Sequence, residues 1–267
     1  MTPEKVAVII AGYPNEQAVE VARQSSSRGY RVSKFGLTTT DQSSVEVPQI
    51  GKINLVNTAS SDARSRLDQA VRDARREGLF PIVADTTGND GHVSLYNQLR
   101  VPFVFQSSNE DSRSRAIQET EASKTFALIS DQMNKRVAAF DEMVRDWSRR
   151  FPGLLSGYEL KATTDGKSQE TLSRSFSDLL NRDIGSDTFS RAESKKSGTS
   201  SGGSIREYTL QNTGGSGTFS FSHSCNDLKE STEGITDSIG FLARRAQQIA
   251  RPRVFSILDV AEQGVFL

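Results

Sequence analysis

Short apolar runs alternate with segments of helical periodicity through the first half of the chain. Residues 6–11 are continuously apolar, the pattern of a strand buried on both faces. Residues 15–27 place Ala18, Val21 and Ala22 on one helical face. The Arg28-Gly29 break then precedes a second strand over 30–37, and 53–57 reads as a third. Leu67, Ala70, Val71 and Ala74 mark an amphipathic helix with Arg64, Arg66, Arg72, Arg75 and Arg76 on its other face, ended by Gly78. Residues 80–84 and 101–106 are two further strands, separated by a short helix around 92–98. Strands alternating with helices of this length predict βαβ units and a mostly parallel sheet.

Beyond about residue 125 the pattern changes. Residues 126–129 form a short strand, and a long helix carries Val137, Phe140, Met143, Val144, Trp147 and Phe151 before Pro152-Gly153 stops it. A strand over 157–162 and a helix over 173–180 follow. Residues 195–204 are a Ser/Gly/Lys loop with almost no apolar content. Residues 205–211 and 218–223 alternate as antiparallel strands do, with a Gly-rich turn between them. Ile235, Ile239, Leu242, Ala246 and Ile249 make a helical stripe closed by Pro252, and 254–258 add an edge strand or short helix. The expected architecture is α/β. A Rossmann-like parallel-sheet domain spans 1–125 and is completed by 235–267, and an α+β domain with an open mixed or antiparallel sheet spans 126–234.

Composition narrows the function. The 33 basic and 33 acidic residues cancel, so no global field draws the chain to nucleic acid or an anionic membrane. One cysteine, Cys225, excludes an internal disulfide framework and fits a reducing compartment. With two histidines beside it, a Cys/His zinc site is not expected. No run reaches the roughly 18 apolar residues of a membrane span. A cytoplasmic protein without a metal is the expectation.

Candidate chemistry begins where the first strand meets Gly12-Tyr13-Pro14-Asn15-Glu16-Gln17-Ala18. This resembles a dinucleotide-binding turn that keeps only its first glycine. Asn15 tolerates positive φ, and Ala18 is the mildest substitute for a close-packing glycine. Backbone N–H groups at the following helix start would receive a pyrophosphate. The competing reading is an ordinary turn with Asn15 as N-cap, and Pro14 removes one donor from it. The second strand region, Ser33-Lys34-Phe35-Gly36-Leu37-Thr38-Thr39, offers no acid for a ribose 2′-hydroxyl. Lys34 with the threonines would suit a 2′-phosphate, or Lys34 is a solvated charge. Asp85-Thr86-Thr87-Gly88 and Gln106-Ser107-Ser108 end two predicted parallel strands, at the edge where open α/β sheets bind ligands. His92 begins a helix, and Cys225 lacks a base partner.

Taken in order, several segments resemble the dihydrodipicolinate reductase family, its plant and cyanobacterial branch above all. They are Phe80-Pro81-Ile82-Val83-Ala84-Asp85-Thr86-Thr87, Val101-Pro102-Phe103-Val104-Phe105-Gln106-Ser107-Ser108, Phe126-Ala127-Leu128-Ile129-Ser130, Gly157-Tyr158-Glu159-Leu160, Ser222-His223 through Gly234, and Gly264-Val265-Phe266-Leu267. The resemblance implies an NAD(P)H-dependent reductase of an unsaturated, cyclic, carboxylate-bearing substrate bound between two domains, and a homo-oligomer, dimer or tetramer, built on the open sheet. Gly12, Asn15, Lys34, Asp85, Thr86, Ser107 and Ser108 would hold NADPH or NADH. The family's paired histidines are absent from 161–174, Lys167 stands at its lysine position, and its Ser-Gly-Thr turn is replaced by Leu172-Ser173-Arg174. Lys167 is thus the candidate acid, with Arg174 and His223 as candidate substrate ligands. Decay of both turns supports a rival: the same fold kept as a non-catalytic binding or assembly subunit. A third possibility is an enzyme that uses the cleft without nicotinamide.

Overall fold

The computed structural model describes residues 5–151, 155–163, 190–195, 204–212, 217–225, 227–248 and 251–264. Elements run in the order β1 (Val6–Tyr13), α1 (Glu16–Ser27), β2 (Arg31–Thr38), β3 (Ser44–Val47), β4 (Gly51–Asn57) and α2 (Ala63–Arg76). Next come β5 (Phe80–Asp85), α3 (Val93–Leu99), β6 (Phe103–Gln106), α4 (Glu110–Ser123) and β7 (Ala127–Ser130). Then follow α5 (Lys135–Arg150), β8 (Leu155–Thr163), β9 (Ser190–Lys195), β10 (Ser204–Asn212) and β11 (Thr218–Cys225). Helix α6 (Asp227–Gln248), β12 (Val254–Phe255) and α7 (Ile257–Glu262) end the described chain. Two compact units result, Met1–Met133 with Ser231–Leu267, and Asn134–Glu230.

The first unit holds an eight-stranded sheet in the order β12-β7-β6-β5-β1-β2-β4-β3, in which only β3 runs antiparallel to its neighbour. From β1 the chain builds outward through β2 and β4, then crosses back and builds outward through β5, β6 and β7. The strand order therefore reverses between β1 and β5, the place where open α/β sheets form a ligand crevice at the strands' C-terminal ends. Ile9, Ala11, Leu37, Val83, Phe103 and Phe105 of the sheet pack with Leu67 and Val71 of α2 and Val93 and Tyr96 of α3 in one buried cluster.

Three elements escape the periodicity. Helix α4 buries Ser112, Ala116 and Thr120 rather than an apolar stripe, and Thr120 Oγ1 hides its hydroxyl by donating to the Ala116 carbonyl at 2.6 Å. Strand β3, Ser-Val-Glu-Val, is too short to signal itself, and β9 has Ala192 as its one apolar residue. The last long helix begins at Asp227, before its apolar stripe, and within it Thr236 and Ser238 satisfy their hydroxyls on the carbonyls of Thr232 and Gly234. Its later part returns to the first unit, where Gln24 Nε2 donates to Thr232 Oγ1 at 2.8 Å and Arg28 pairs with Asp237.

The second unit is a four-stranded sheet in the order β11-β10-β8-β9. Phe221 and Phe219 of β11 meet Phe140 and Trp147 of α5 edge to face, at 5.6 and 4.9 Å between ring centroids. Thr218, Ser220 and Ser222, the alternate positions of that strand, are exposed. These alternate positions of β11 carry hydroxyls, while Phe219 remains 40% exposed. No helix among the described residues is long and apolar enough to cross a membrane.

Candidate functional site

Strand β1 does not stop at Ala11. It continues through Gly12 to Tyr13, which pairs with Thr38 and accepts a 2.7 Å hydrogen bond from Thr38 Oγ1. The Tyr13 ring is buried over Gly36, where a Cβ would lie 2.7 Å from the ring, so β2 needs a glycine there. Gly12 has φ +118, and a Cβ on it would come within 2.2 Å of Thr86 Oγ1. The glycine lets the β1 and β5 turns touch. Thr86 Oγ1 donates to the Ala11 carbonyl at 3.0 Å and accepts from Asn15 Nδ2 at 3.4 Å.

Asn15 has φ −62 and ψ 153, so it is not a left-handed substitute for glycine. It is the N-cap of α1, taking the Ala18 N–H at 2.6 Å. That uses one donor an anion would otherwise find, while the N–H groups of Glu16 and Gln17 stay at the helix start. Ala18 is fully buried, as its place in the motif predicts.

Two candidate ligands are corrected. Lys34 lies in the middle of β2, four residues before the strand ends at Thr38, and its ammonium donates to the Ile50 carbonyl. It belongs to the packing of the β3–β4 hairpin and not to the sheet's C-terminal edge. Asp85 does end β5, but its carboxylate points inward at 1 % exposure. Oδ1 accepts from the Thr87 N–H at 2.8 Å and from Thr87 Oγ1 at 2.6 Å; Oδ2 accepts from Tyr96 OH at 2.7 Å and faces His92 Nδ1 at 3.3 Å. A carboxylate only accepts, so the His92 proton sits on Nδ1, which leaves Nε2 to face Asn89 Nδ2 at 3.5 Å. Asp85 therefore shapes the Thr86–Asn89 loop from beneath.

Ser107 is buried, its Oγ donating to the Gly88 carbonyl at 3.2 Å and accepting from the Asn109 N–H at 3.3 Å. Ser108 is exposed at the mouth of the same loop. Helix α4 braces both loops: Arg113 Nη1 donates to the Ser107 carbonyl at 3.1 Å, and Arg115 Nε bonds Asp90 Oδ2 at 2.7 Å. The hydrogen bond from Arg115 holds the Asp90 carboxyl below its usual range. The structure thus brings Gly12, Asn15, Thr86, Ser107 and Ser108 to one sheet edge and leaves Lys34 away from it. His223 stands on β11 opposite Arg206, while Lys167 and Arg174 lie outside the described residues.

Burial lifts the phenols of Tyr13 and Tyr96 well above their usual range, and at Tyr96 the Asp85 charge and hydrogen bond add to it. A raised folded-state value means the folded chain holds protons that the unfolded chain releases above about pH 10. Stability from these phenols is complete below that pH and is lost at about 1.4 kcal/mol per pH unit per tyrosine as pH rises further. Urea unfolding between pH 9 and 11 is expected to show that loss, reduced in Tyr96→Phe.

No family profile matches the chain. Chloroplastic 4-hydroxy-tetrahydrodipicolinate reductase 2 of Arabidopsis thaliana is 24% identical over 97% of this chain and 78% of its own length. The dipicolinate-bound dihydrodipicolinate reductase of Paenisporosarcina sp. TG-14 superposes with a TM-score of 0.62 at 10% identity, over 94% of this chain and 97% of its own. The chain is a distant relative of the dihydrodipicolinate reductases. The same α/β architecture is shared by GenD2 from gentamicin A biosynthesis in complex with NAD, at TM-score 0.59 and 10% identity over 99% of this chain and 92% of that one.

Proposed function

We propose that the chain is a nicotinamide-dependent oxidoreductase, its cofactor lying across the β1–β5 crevice with the pyrophosphate at the start of α1. The observation that carries this is Gly12: it has φ +118 and no side chain, it lies one residue before the end of the central strand where the strand order reverses, and the N–H groups of Glu16 and Gln17 follow it. The dehydrogenase and reductase relatives support the same chemistry. Thr86 and Ser108 line the edge, with Gly12 and Asn15 beneath the phosphates and Ser107 fixing the loop. Hydride would pass to an unsaturated, carboxylate-bearing ring, with Lys167 as acid and Arg174 and His223 as anion ligands.

The expected preference for NADPH rested on Lys34 and falls with it. At the end of β2 the exposed residues are Thr39, Thr40 and Asp41. An acidic residue there suits free ribose hydroxyls and repels a 2′-phosphate, so NADH binds at least as well as NADPH in this reading. A homo-oligomer, dimer or tetramer, is retained, with the exposed Phe219 on edge strand β11 as an apolar contact. Titration with both dinucleotides tests the reading. A second reading, a non-catalytic subunit, is favoured by the Asn15–Thr86 bond, which ties the two turns of the crevice together.

A further inference from the structure

Two carboxamides meet at the sheet's C-terminal edge, one from each of two candidate turns. Gln17, in the first turn of α1, donates from Nε2 to Oε1 of Gln106, the last residue of β6, at 3.1 Å. Since β5 lies between β1 and β6, this bond spans the end of β5 and the Thr86–Asn89 loop. Both side chains are half-buried. The bond uses one N–H of Gln17 and one lone pair of Gln106. Gln17 Oε1 is left as an acceptor and Gln106 Nε2 as a donor, with no other protein partner among the described residues. Exchanging O and N in both amides leaves the same complement, one acceptor and one donor on the bonded pair. That is the pattern a planar primary carboxamide satisfies, giving its N–H to the acceptor and its C=O to the donor. A carboxylate offers no donor, and a ketone offers none either.

The fold places such a group here. With phosphates at the start of α1 and one nucleoside toward the end of β2, the other half of a dinucleotide must run over the ends of β5 and β6. We infer that Gln17 and Gln106 form the subsite that reads the carboxamide of the nicotinamide ring, an inference that rests on the cofactor reading above.

The experiment compares binding of three dinucleotides to the full chain: NAD⁺, its 3-acetylpyridine analogue, which lacks the amide N–H, and its deamido analogue, which carries a carboxylate. The wild type should bind NAD⁺ at least about tenfold more tightly than either analogue, the size of one lost hydrogen bond to a partly buried group. In Gln17→Met and Gln106→Met, which keep length and remove the polar atoms, the ratio should fall to within about threefold. The wild-type ratio decides the matter even if a variant fails to fold. Equal binding of all three by the wild type, or an unchanged ratio in folded variants, overturns the carboxamide subsite alone. No binding of any dinucleotide by the wild type overturns the cofactor reading and this inference with it.

Discussion

Asp85→Ala is expected to destabilise the chain by about 3–5 kcal/mol in chemical unfolding. The carboxylate is 1 % exposed and takes hydrogen bonds from the Thr87 N–H, Thr87 Oγ1 and Tyr96 OH. Removing it leaves the fully buried Tyr96 hydroxyl and the two half-buried Thr87 donors without their acceptor and opens a cavity beneath the loop; lost charged hydrogen bonds and unsatisfied donors each contribute on the order of 1–3 kcal/mol. Tyr96→Phe removes one of those bonds and should cost about 1.5–3 kcal/mol. If Asp85 were instead a ligand in an open cleft, Asp85→Ala would leave the unfolding midpoint within about 0.5 kcal/mol of wild type, as ordinary surface changes do.

Under the proposed oxidoreductase reading, Lys167→Ala is expected to slow hydride transfer to the carboxylate-bearing substrate by roughly two to four orders of magnitude, the range for loss of a general acid. The resemblance places the candidate acid of the proposed reaction between 163 and 174, where only Lys167 and Arg174 are cationic. Arginine does not release its proton near neutral pH, so Lys167 alone can act as the acid. A fall in kcat with cofactor affinity unchanged marks proton donation, whereas a rise confined to KM marks carboxylate binding. Full activity in the variant would remove this segment from the chemistry.

The fold was legible wherever burial is written in apolar residues. The runs 6–11 and 80–84 and the Ile235–Ile239–Leu242 stripe announce themselves, because a strand covered on both faces or a packed helix must be apolar at those positions. Helix α4 was not legible, since Ser112 and Thr120 do its packing and satisfy their hydroxyls locally or across the core. At the site, Gly12 was readable because only glycine suits its backbone. Lys34 misled because the sequence shows a charge near a strand end but not where pairing stops: β2 stays zipped to β1 as far as Thr38. The inward turn of Asp85 depends on Tyr96 and His92, and the Gln17–Gln106 pair joins residues 89 positions apart, beyond any local pattern.

In the proposed function a nicotinamide dinucleotide lies over Gly12 at the β1–β5 crevice. The most direct test is a titration of the pure protein with NADH and with NADPH, following nicotinamide fluorescence, beside Gly12→Val. A valine there meets both an unfavourable φ and the Thr86 hydroxyl, so it must shift the turn that receives the phosphates. The account predicts saturable binding by the wild type, with NADH at least as tight as NADPH, and loss of binding in folded Gly12→Val. Absence of binding of either dinucleotide to the wild type, or equal binding by the two proteins, would contradict it.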